Sequence, residues 1–338
     1  MLVFNPSHKL TARADAQPDP LFERVLLIGN AFRSTPVVPL RGEGVALFAK
    51  LEGYNPFGSI KDRVAYWILR NAIERREVNA ASTIVESSSG NFAIALASIC
   101  RFLGLRFLPV IDPNTAPVLE AQLRNLTKDV IKVDRRDDTG GFLKTRLERV
   151  RELRATIPGA YWPDQYGNED GLQAHYLLTG GEICEAFESL DYAFIPVSTA
   201  GTLSGVSRRL KEKFPGIKIV GVDVVGSVIF GGPPKTKHIP GLGSSIRPRF
   251  LDRALTDDVA IVPESDIAPA CQRLLRKHGV FVGGSSGAAY AAACSRVEQI
   301  RREKPDAVVL FLCPDRGFSY LDSVYDANWN AQRFGVTP

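Results

Sequence analysis

The stretch Asn55-Pro56-Phe57-Gly58-Ser59-Ile60-Lys61-Asp62-Arg63 runs from a Pro/Gly/Ser turn into a segment whose apolar residues Ile60, Val64 and Trp67/Ile68 recur at helical spacing. Lys61 therefore falls in the first turn of a helix, where the positive end of the macrodipole opposes an ammonium. A lysine held as a neutral Schiff base escapes that penalty. Taken alone, a lysine beside Asp62 and Arg63 is usually a solvated surface charge, so its chemistry depends on what the fold brings to it.

Three other stretches carry groups suited to holding anions or a ring. Glu86-Ser87-Ser88-Ser89-Gly90-Asn91-Phe92 lies between a β-type run and the apolar segment Ala93 to Ile99. Its hydroxyls and the free amides of a helix start favour a carboxylate; helix capping accounts for one serine but not for three followed by Gly-Asn. Ser198-Thr199-Ala200-Gly201-Thr202-Leu203-Ser204-Gly205 repeats the strand-to-helix arrangement and suits a phosphate, although any tight turn of this kind uses small residues. There is no Gly-x-Gly-x-x-Gly fingerprint and no glycine-rich loop ending in Lys-Ser/Thr, so the expected phosphate is single. In Val282-Gly283-Gly284-Ser285-Ser286-Gly287-Ala288, close backbone packing explains most of the small residues, and Ser285 is placed to face a ring nitrogen.

The elements that must position these groups alternate in an α/β pattern with largely parallel sheets. Strands are expected at Val45–Lys50, Thr83–Glu86, Phe107–Ile111 and Val130–Val133, then at Tyr192–Val197, Ile219–Val225 and Val308–Leu312. Helices begin near Thr202, Asp266 and Ser285, and the change of series falls near Gln165. At 338 residues the chain exceeds the usual single core, which predicts two closely packed lobes.

With 45% hydrophobic and 23% charged residues, the composition is that of an ordinary soluble globular protein. The most apolar stretch, Phe92 to Val110, is broken by Arg101 and Arg106, and residues 1–20 lack the apolar run of a secretory signal. A mobile N-terminal arm and a cytoplasmic location are the expectations. A net charge of only +5, with Lys and Arg scattered, argues against nucleic acid. The five cysteines are far apart and mostly in apolar runs, and the four histidines are dispersed, so reduced core thiols and no metal site are expected.

In this order, the four stretches resemble the fold-type II pyridoxal-phosphate enzymes of the cysteine synthase/cystathionine β-synthase family. The resemblance runs from about Thr35 to Tyr320. It implies a tryptophan synthase β-like α/β fold of two domains, each a mostly parallel twisted sheet flanked by helices. The smaller would span 55–165 and the larger 21–54 plus 166–325, with an arm at 1–20 and a tail at 326–338. The cofactor implied is pyridoxal 5'-phosphate, with Lys61 as its Schiff-base lysine and the general base that removes the α-proton. Ser198, Thr199, Ala200, Gly201 and Thr202 would hold the phosphate, Ser285 the pyridine nitrogen and Asn91 the phenolic oxygen. Ser88, Ser89, Gly90, Asn91, Phe92 and Gln165 would bind the substrate carboxylate. Small-molecule amino-acid substrates and a homodimer are implied as well.

Gly140-Gly141-Phe142-Leu143-Lys144-Thr145-Arg146, Tyr161-Trp162 with Gln165-Tyr166, Gly226 to Gly231, and Pro314-Asp315-Arg316-Gly317 are closer still to the N-(2-amino-2-carboxyethyl)-L-glutamate synthase group. That likeness implies joining O-phospho-L-serine to L-glutamate with release of phosphate, a first step towards 2,3-diaminopropionate in staphyloferrin B-type siderophore biosynthesis. Ser198 and Ala200 stand where cysteine synthases usually have glycine. Arg146, Arg247 and Arg249 are candidate binders of the leaving phosphate or of glutamate carboxylates. The alternatives are a cysteine synthase using O-acetylserine or O-phosphoserine with sulfide, a nicotinamide-dependent oxidoreductase, and a non-catalytic pyridoxal-phosphate-binding protein.

Overall fold

Two sheets form in the computed structural model, which describes residues 19–138 and 140–335. In chain order the strands are β1 (Val37–Leu40), β2 (Ala46–Leu51), β3 (Thr83–Ser87), β4 (Arg106–Ile111), β5 (Ile131–Lys132), β6 (Ala160–Tyr161), β7 (Tyr192–Pro196), β8 (Lys218–Val224), β9 (Asp258–Val262) and β10 (Val308–Cys313). The smaller sheet runs β5-β4-β3-β6 and is wholly parallel. The larger runs β1-β2-β10-β7-β8-β9, parallel except for the β1–β2 hairpin. All five residues of β3 and of β7 are buried, as expected where helices cover both faces of a parallel sheet.

The helices are α1 (Pro20–Gly29), α2 (Lys61–Glu74), α3 (Asn91–Leu103), α4 (Pro117–Leu126), α5 (Leu143–Thr156), α6 (Glu169–Ala174), α7 (Gly180–Ala186), α8 (Gly201–Lys213), α9 (Glu264–His278), α10 (Gly284–Ser295), α11 (Val297–Glu303) and α12 (Ala327–Phe334). Among the described residues, none is long and apolar enough to cross a membrane. All seven strands expected from the sequence are present. β1, β6 and β9 were not foreseen: β1 is four residues long and contains Pro39, β6 has two residues, and β9 is an edge strand with three of its five residues not buried.

Packing places both ends of the described chain. Of residues 21–54, expected in the larger domain, β1 and β2 lie in the large sheet, while Leu21, Val25, Ile28 and Phe32 of α1 and its exit pack with Val64, Ile68, Ala93 and Ala97 in the core around α2 and α3. The amphipathic face of α1 is complementary to those helices rather than to the large sheet. Most of residues 326–338, expected as a tail, form α12, whose Trp329 and Phe334 pack on the large-sheet core. The expected arm lies almost entirely outside the described residues. All five cysteines are free thiols, four of them buried.

Helix α2 is tied to the large sheet by a buried ion network. Arg63 Nε lies 2.7 Å from Glu52 Oε2, and its Nη1 lies 2.6 Å from Glu182 Oε1. Lys50 Nζ lies 2.7 Å from Glu182 Oε2, and Thr35 Oγ1 donates to Glu52 Oε1 at 2.7 Å. Burial pushes the Glu52 carboxyl up, but the Arg63 and Lys50 charges outweigh it and hold it at about 2. Its folded pKa lies below the unfolded value, so its contribution is complete above about pH 4.5 and disappears as the pH falls towards 2. Glu52→Gln is expected to lower the unfolding free energy by about 3 kcal/mol at pH 7. The difference from the parent should shrink steadily in urea titrations repeated from pH 5 down to about 2.5; a pH-independent difference would contradict the assignment.

Candidate active site

Loops leaving the C-terminal ends of β2, β3, β4, β7 and β10 meet around one cavity of about 210 Å³, with a smaller one of about 40 Å³ adjoining it. The crevice at the carboxyl ends of parallel strands is where open α/β sheets bind ligands. Lys61, Ser198, Thr199 and Ser285 line both cavities. Ser88, Ser89, Gly90, Asn91, Phe92, Arg146 and Gln165 line the larger, and Ala200 and Thr202 the smaller. The tertiary structure thus gathers nearly every residue singled out in the sequence, from positions more than 200 apart, into one space.

Lys61 begins α2 as expected, and its helix start is fixed locally. Asp62 Oδ2 accepts from the backbone amides of Phe57 (2.7 Å) and Ser59 (3.4 Å), closing the turn that precedes the lysine. Burial pushes the Asp62 carboxyl up to about 7. Ile60 N donates to Pro314 O at 2.8 Å, pinning the same turn to the end of β10. Lys61 is half-buried, and burial lowers its amine to about 8 against the opposing pull of Asp315. No ion pair of Lys61 is present among the described residues, so near neutral pH a deprotonated, nucleophilic amine is within reach.

The Ser198–Thr202 loop joins β7 to the thirteen-residue helix α8, whose first amides lack intrahelical acceptors and whose first residues Thr202 and Leu203 line the small cavity. Thr202 Oγ1 pairs with His175 Nε2 at 3.1 Å, and His175 Nδ1 pairs with Thr179 Oγ1 at 3.2 Å. Burial, reinforced by the Lys61 charge, lowers His175 to about 3, so the ring is neutral. Close approach of α8 to that histidine requires Gly205, where an added Cβ would lie 2.7 Å from His175 Cβ. Ala200 holds a left-handed backbone, φ +62°, a conformation glycine adopts freely and alanine does not.

On the opposite wall, Gln165 Nε2 donates to Ser87 O at 3.4 Å, and Trp162 Nε1 donates to Glu86 Oε1 at 3.1 Å. Burial raises Glu86 to about 7 despite the Trp162 bond. Arg146 Nη1 donates to Ser89 Oγ at 3.3 Å, and Arg146 Nε lies 3.2 Å from Asp112 Oδ2 without hydrogen-bond geometry. Arg247 does not reach the cavity: it is exposed and paired with Asp252, on the short turn that carries both residues. Arg249 is exposed over the Phe250 ring and also lies outside.

Sequence reasoning missed Asp315, Tyr166, Asn114 and Thr115 as lining residues, and His175 behind Thr202. Asp315 carried a signal, an acidic residue at the end of an apolar strand; His175 carried none, because its role arises from the packing of α8 on the turn before α7. Burial pushes Asp315 up to about 6, against the donors Asn91 and Tyr320 and the charge of Lys61.

The residues present fit pyridoxal phosphate. One helix start ringed by hydroxyls suits a single phosphate, Ser285 and Lys61 stand in the same cavity, and Ser87 Oγ and Arg146 Nε have no hydrogen-bond partner within the protein.

Residues 28–315 match the family model described as pyridoxal-phosphate dependent enzyme. A curated relative from Ralstonia nicotianae is 45% identical over 90% of this chain and 91% of its own, and one from Cupriavidus metallidurans is 42% identical over 90% of each. Both are named N-(2-amino-2-carboxyethyl)-L-glutamate synthase. Among solved structures, the O-acetylserine dependent cystathionine beta-synthase from Helicobacter pylori superposes with a TM-score of 0.79 at 28% identity, covering 88% of this chain and 97% of its own. An O-ureido-L-serine synthase does so with 0.81 at 28% identity, covering 91% and 95%.

The strained residue Ala200 gives a direct check on the geometry of the Ser198–Thr202 loop. Ala200→Gly should raise the unfolding free energy by about 1 kcal/mol, measured by chemical denaturation of the cofactor-free protein. An unchanged or lower value would contradict the left-handed conformation at this position.

Proposed function

The chain belongs to the pyridoxal-phosphate dependent enzymes, and we propose that it joins O-phospho-L-serine to L-glutamate, giving N-(2-amino-2-carboxyethyl)-L-glutamate and phosphate. This product would be a first step towards 2,3-diaminopropionate in siderophore biosynthesis. The observation that carries the reading is the convergence of Lys61, the α8 start and Ser285 on one cavity, in a chain with two relatives of that name over nine-tenths of its length.

When bound, pyridoxal phosphate supplies an electron sink that acidifies the α-proton of an attached amino acid. Lys61 Nζ would carry the cofactor, and once free it would take the α-proton as general base and later return it. An amine lowered to about 8 by burial is tuned for both transfers. Ser198, Thr199, Gly201 and Thr202, with the first amides of α8, would hold the phosphate, His175 keeping the Thr202 hydroxyl in place. Ser285, a neutral hydroxyl, would face the ring nitrogen without enforcing its protonation, which favours elimination over transamination. Ser88 to Phe92 and Gln165 would hold the α-carboxylate.

Arg146 would bind an anionic group beyond the reacting carbon, either the leaving phosphate or a glutamate carboxylate, and Asp112 and Ser89 keep it on the cavity wall. Phosphate would leave the β-carbon and the glutamate amine would take its place. Cytoplasmic, homodimeric protein is part of the same reading; light scattering after size exclusion checks the second part.

Lys61→Ala should abolish both the visible absorption band of the cofactor-loaded protein and turnover; an active variant would sink the reading. Mass analysis of products from O-phosphoserine or O-acetylserine with glutamate or sulfide tests the substrates, and faster consumption of sulfide than of glutamate would identify a cysteine synthase instead. Arg146→Ala should lower kcat/KM about 100-fold, as expected for a lost bidentate ion pair, while leaving the visible band in place. Loss of the band with the activity would instead make Arg146 part of the cofactor site.

A further inference from the structure

Asp315 occupies a crossing point among three of the four chemistry-bearing stretches. Its backbone forms an antiparallel bridge with Ser59, two residues before Lys61, and its carbonyl accepts from Gly283 N at 3.2 Å, two residues before Ser285. Its side chain reaches the third stretch: Asn91 Nδ2 donates to Asp315 Oδ2 at 2.7 Å. Tyr320 OH donates to the same oxygen at 2.9 Å, while Oδ1 has no hydrogen-bond partner within the protein. The carboxylate is buried, and the fold makes room for it. An added Cβ at Gly283 would lie 2.1 Å from Asp315 Oδ1 and 2.5 Å from the Tyr320 ring, so no other residue at 283 tolerates the carboxylate where it is.

An unpaired buried carboxylate oxygen costs stability, which argues that this group is retained for what it does to its neighbours. Asn91 is half-buried at the first position of α3, and its amide can rotate unless something fixes it. One amide hydrogen is committed to Asp315, and that commitment defines where the second points. We propose that Asp315 is a positioning residue, which holds the Asn91 amide in the one orientation that presents its remaining N–H to the cofactor. The proposal rests on the pyridoxal-phosphate reading above and extends it to a residue from the end of β10. Because α3 and β10 belong to different sheets' layers, the contact also fixes the α3 start relative to the Lys61 and Ser285 loops.

Titration of the cofactor-free protein with pyridoxal phosphate, followed by the visible band, tests this without reference to turnover, with far-UV circular dichroism reporting the fold. Asp315→Ala should bind the cofactor about tenfold more weakly and shift the band, with the fold intact. Asp315→Asn keeps an acceptor oxygen of the same shape and should recover binding to within about threefold of the parent. Combining Asp315→Ala with Asn91→Ala should bind no more weakly than Asn91→Ala alone, because both remove the same contact. Parent-like binding by Asp315→Ala, no recovery by Asp315→Asn, or additive losses would each overturn the proposal. If Asp315→Ala does not fold, Asp315→Ser, whose hydroxyl is too short to hold the Asn91 amide in place, takes its position in both comparisons with the same expected losses, and parent-like binding by it overturns the assignment. A parent protein that shows no band on titration would overturn the cofactor reading itself, and this inference with it.

Discussion

Beneath Lys61, two carboxylates, a guanidinium and an ammonium share a space almost closed to water. Arg63, Glu52, Glu182 and Lys50 come from α2, the end of β2 and α7, and each charge faces at least one opposite charge within 2.7 Å. Such a network need not add much net stability, because desolvating four charges offsets most of their attraction. Its effect is geometric: removing any member leaves its partner buried and unpaired, so the elements are locked in one arrangement. Since Arg63 lies two residues beyond Lys61, the lock sets where the lysine nitrogen emerges into the cavity. Asp62, between them, closes the preceding turn through the amides of Phe57 and Ser59. Three successive residues of α2 thus do three different things.

Much of the rest of the site hangs from strand ends. The phosphate-type loop follows β7, the serine loop follows β3, and Asp315 follows β10 between them. Parallel strands deliver their loops to the same edge, so segments far apart in sequence arrive together without long connections. The two sheets contribute different chemistry. Segments packed on the large sheet carry the groups suited to phosphate and ring, and segments of the small-sheet side carry Ser88–Phe92 and, on α5, Arg146, suited to carboxylates and other anions.

The electrostatics follow from burial more than from net charge. Lys61 is lowered to about 8 and His175 to about 3, while Glu86, Asp62 and Asp315 are raised to between about 6 and about 7. Buried groups that lack full compensation move towards neutrality, in contrast to Glu52, which two cations keep ionised. Of these groups Lys61 and Asp315 line the cavity, and an amine at about 8 can accept and return a proton with little driving force in either direction.

Much of this was legible in one dimension, because local chemistry is written locally. Seven strands, the helix start at Lys61, the helix start near Thr202 and the serine-rich turn before α3 follow from periodicity, turn residues and small polar clusters. Core thiols were equally plain from their apolar surroundings. The membership of the site was only partly so. Arg247 looked as eligible as Arg146, and the difference is that one lies on an exposed turn beside Asp252 while the other projects from α5 against Asp112. His175 and Asp315 gained their roles from neighbours 27 and 224 residues away, Thr202 and Asn91, and no spacing rule encodes such pairings. The placement of α1 on the small-sheet helices was likewise decided by which apolar faces fit together. The sequence alone determined which residues were capable of chemistry and what elements carry them; the tertiary structure decided which of them share a cavity, because burial and hydrogen-bond partners are properties of distance in space and not of distance along the chain.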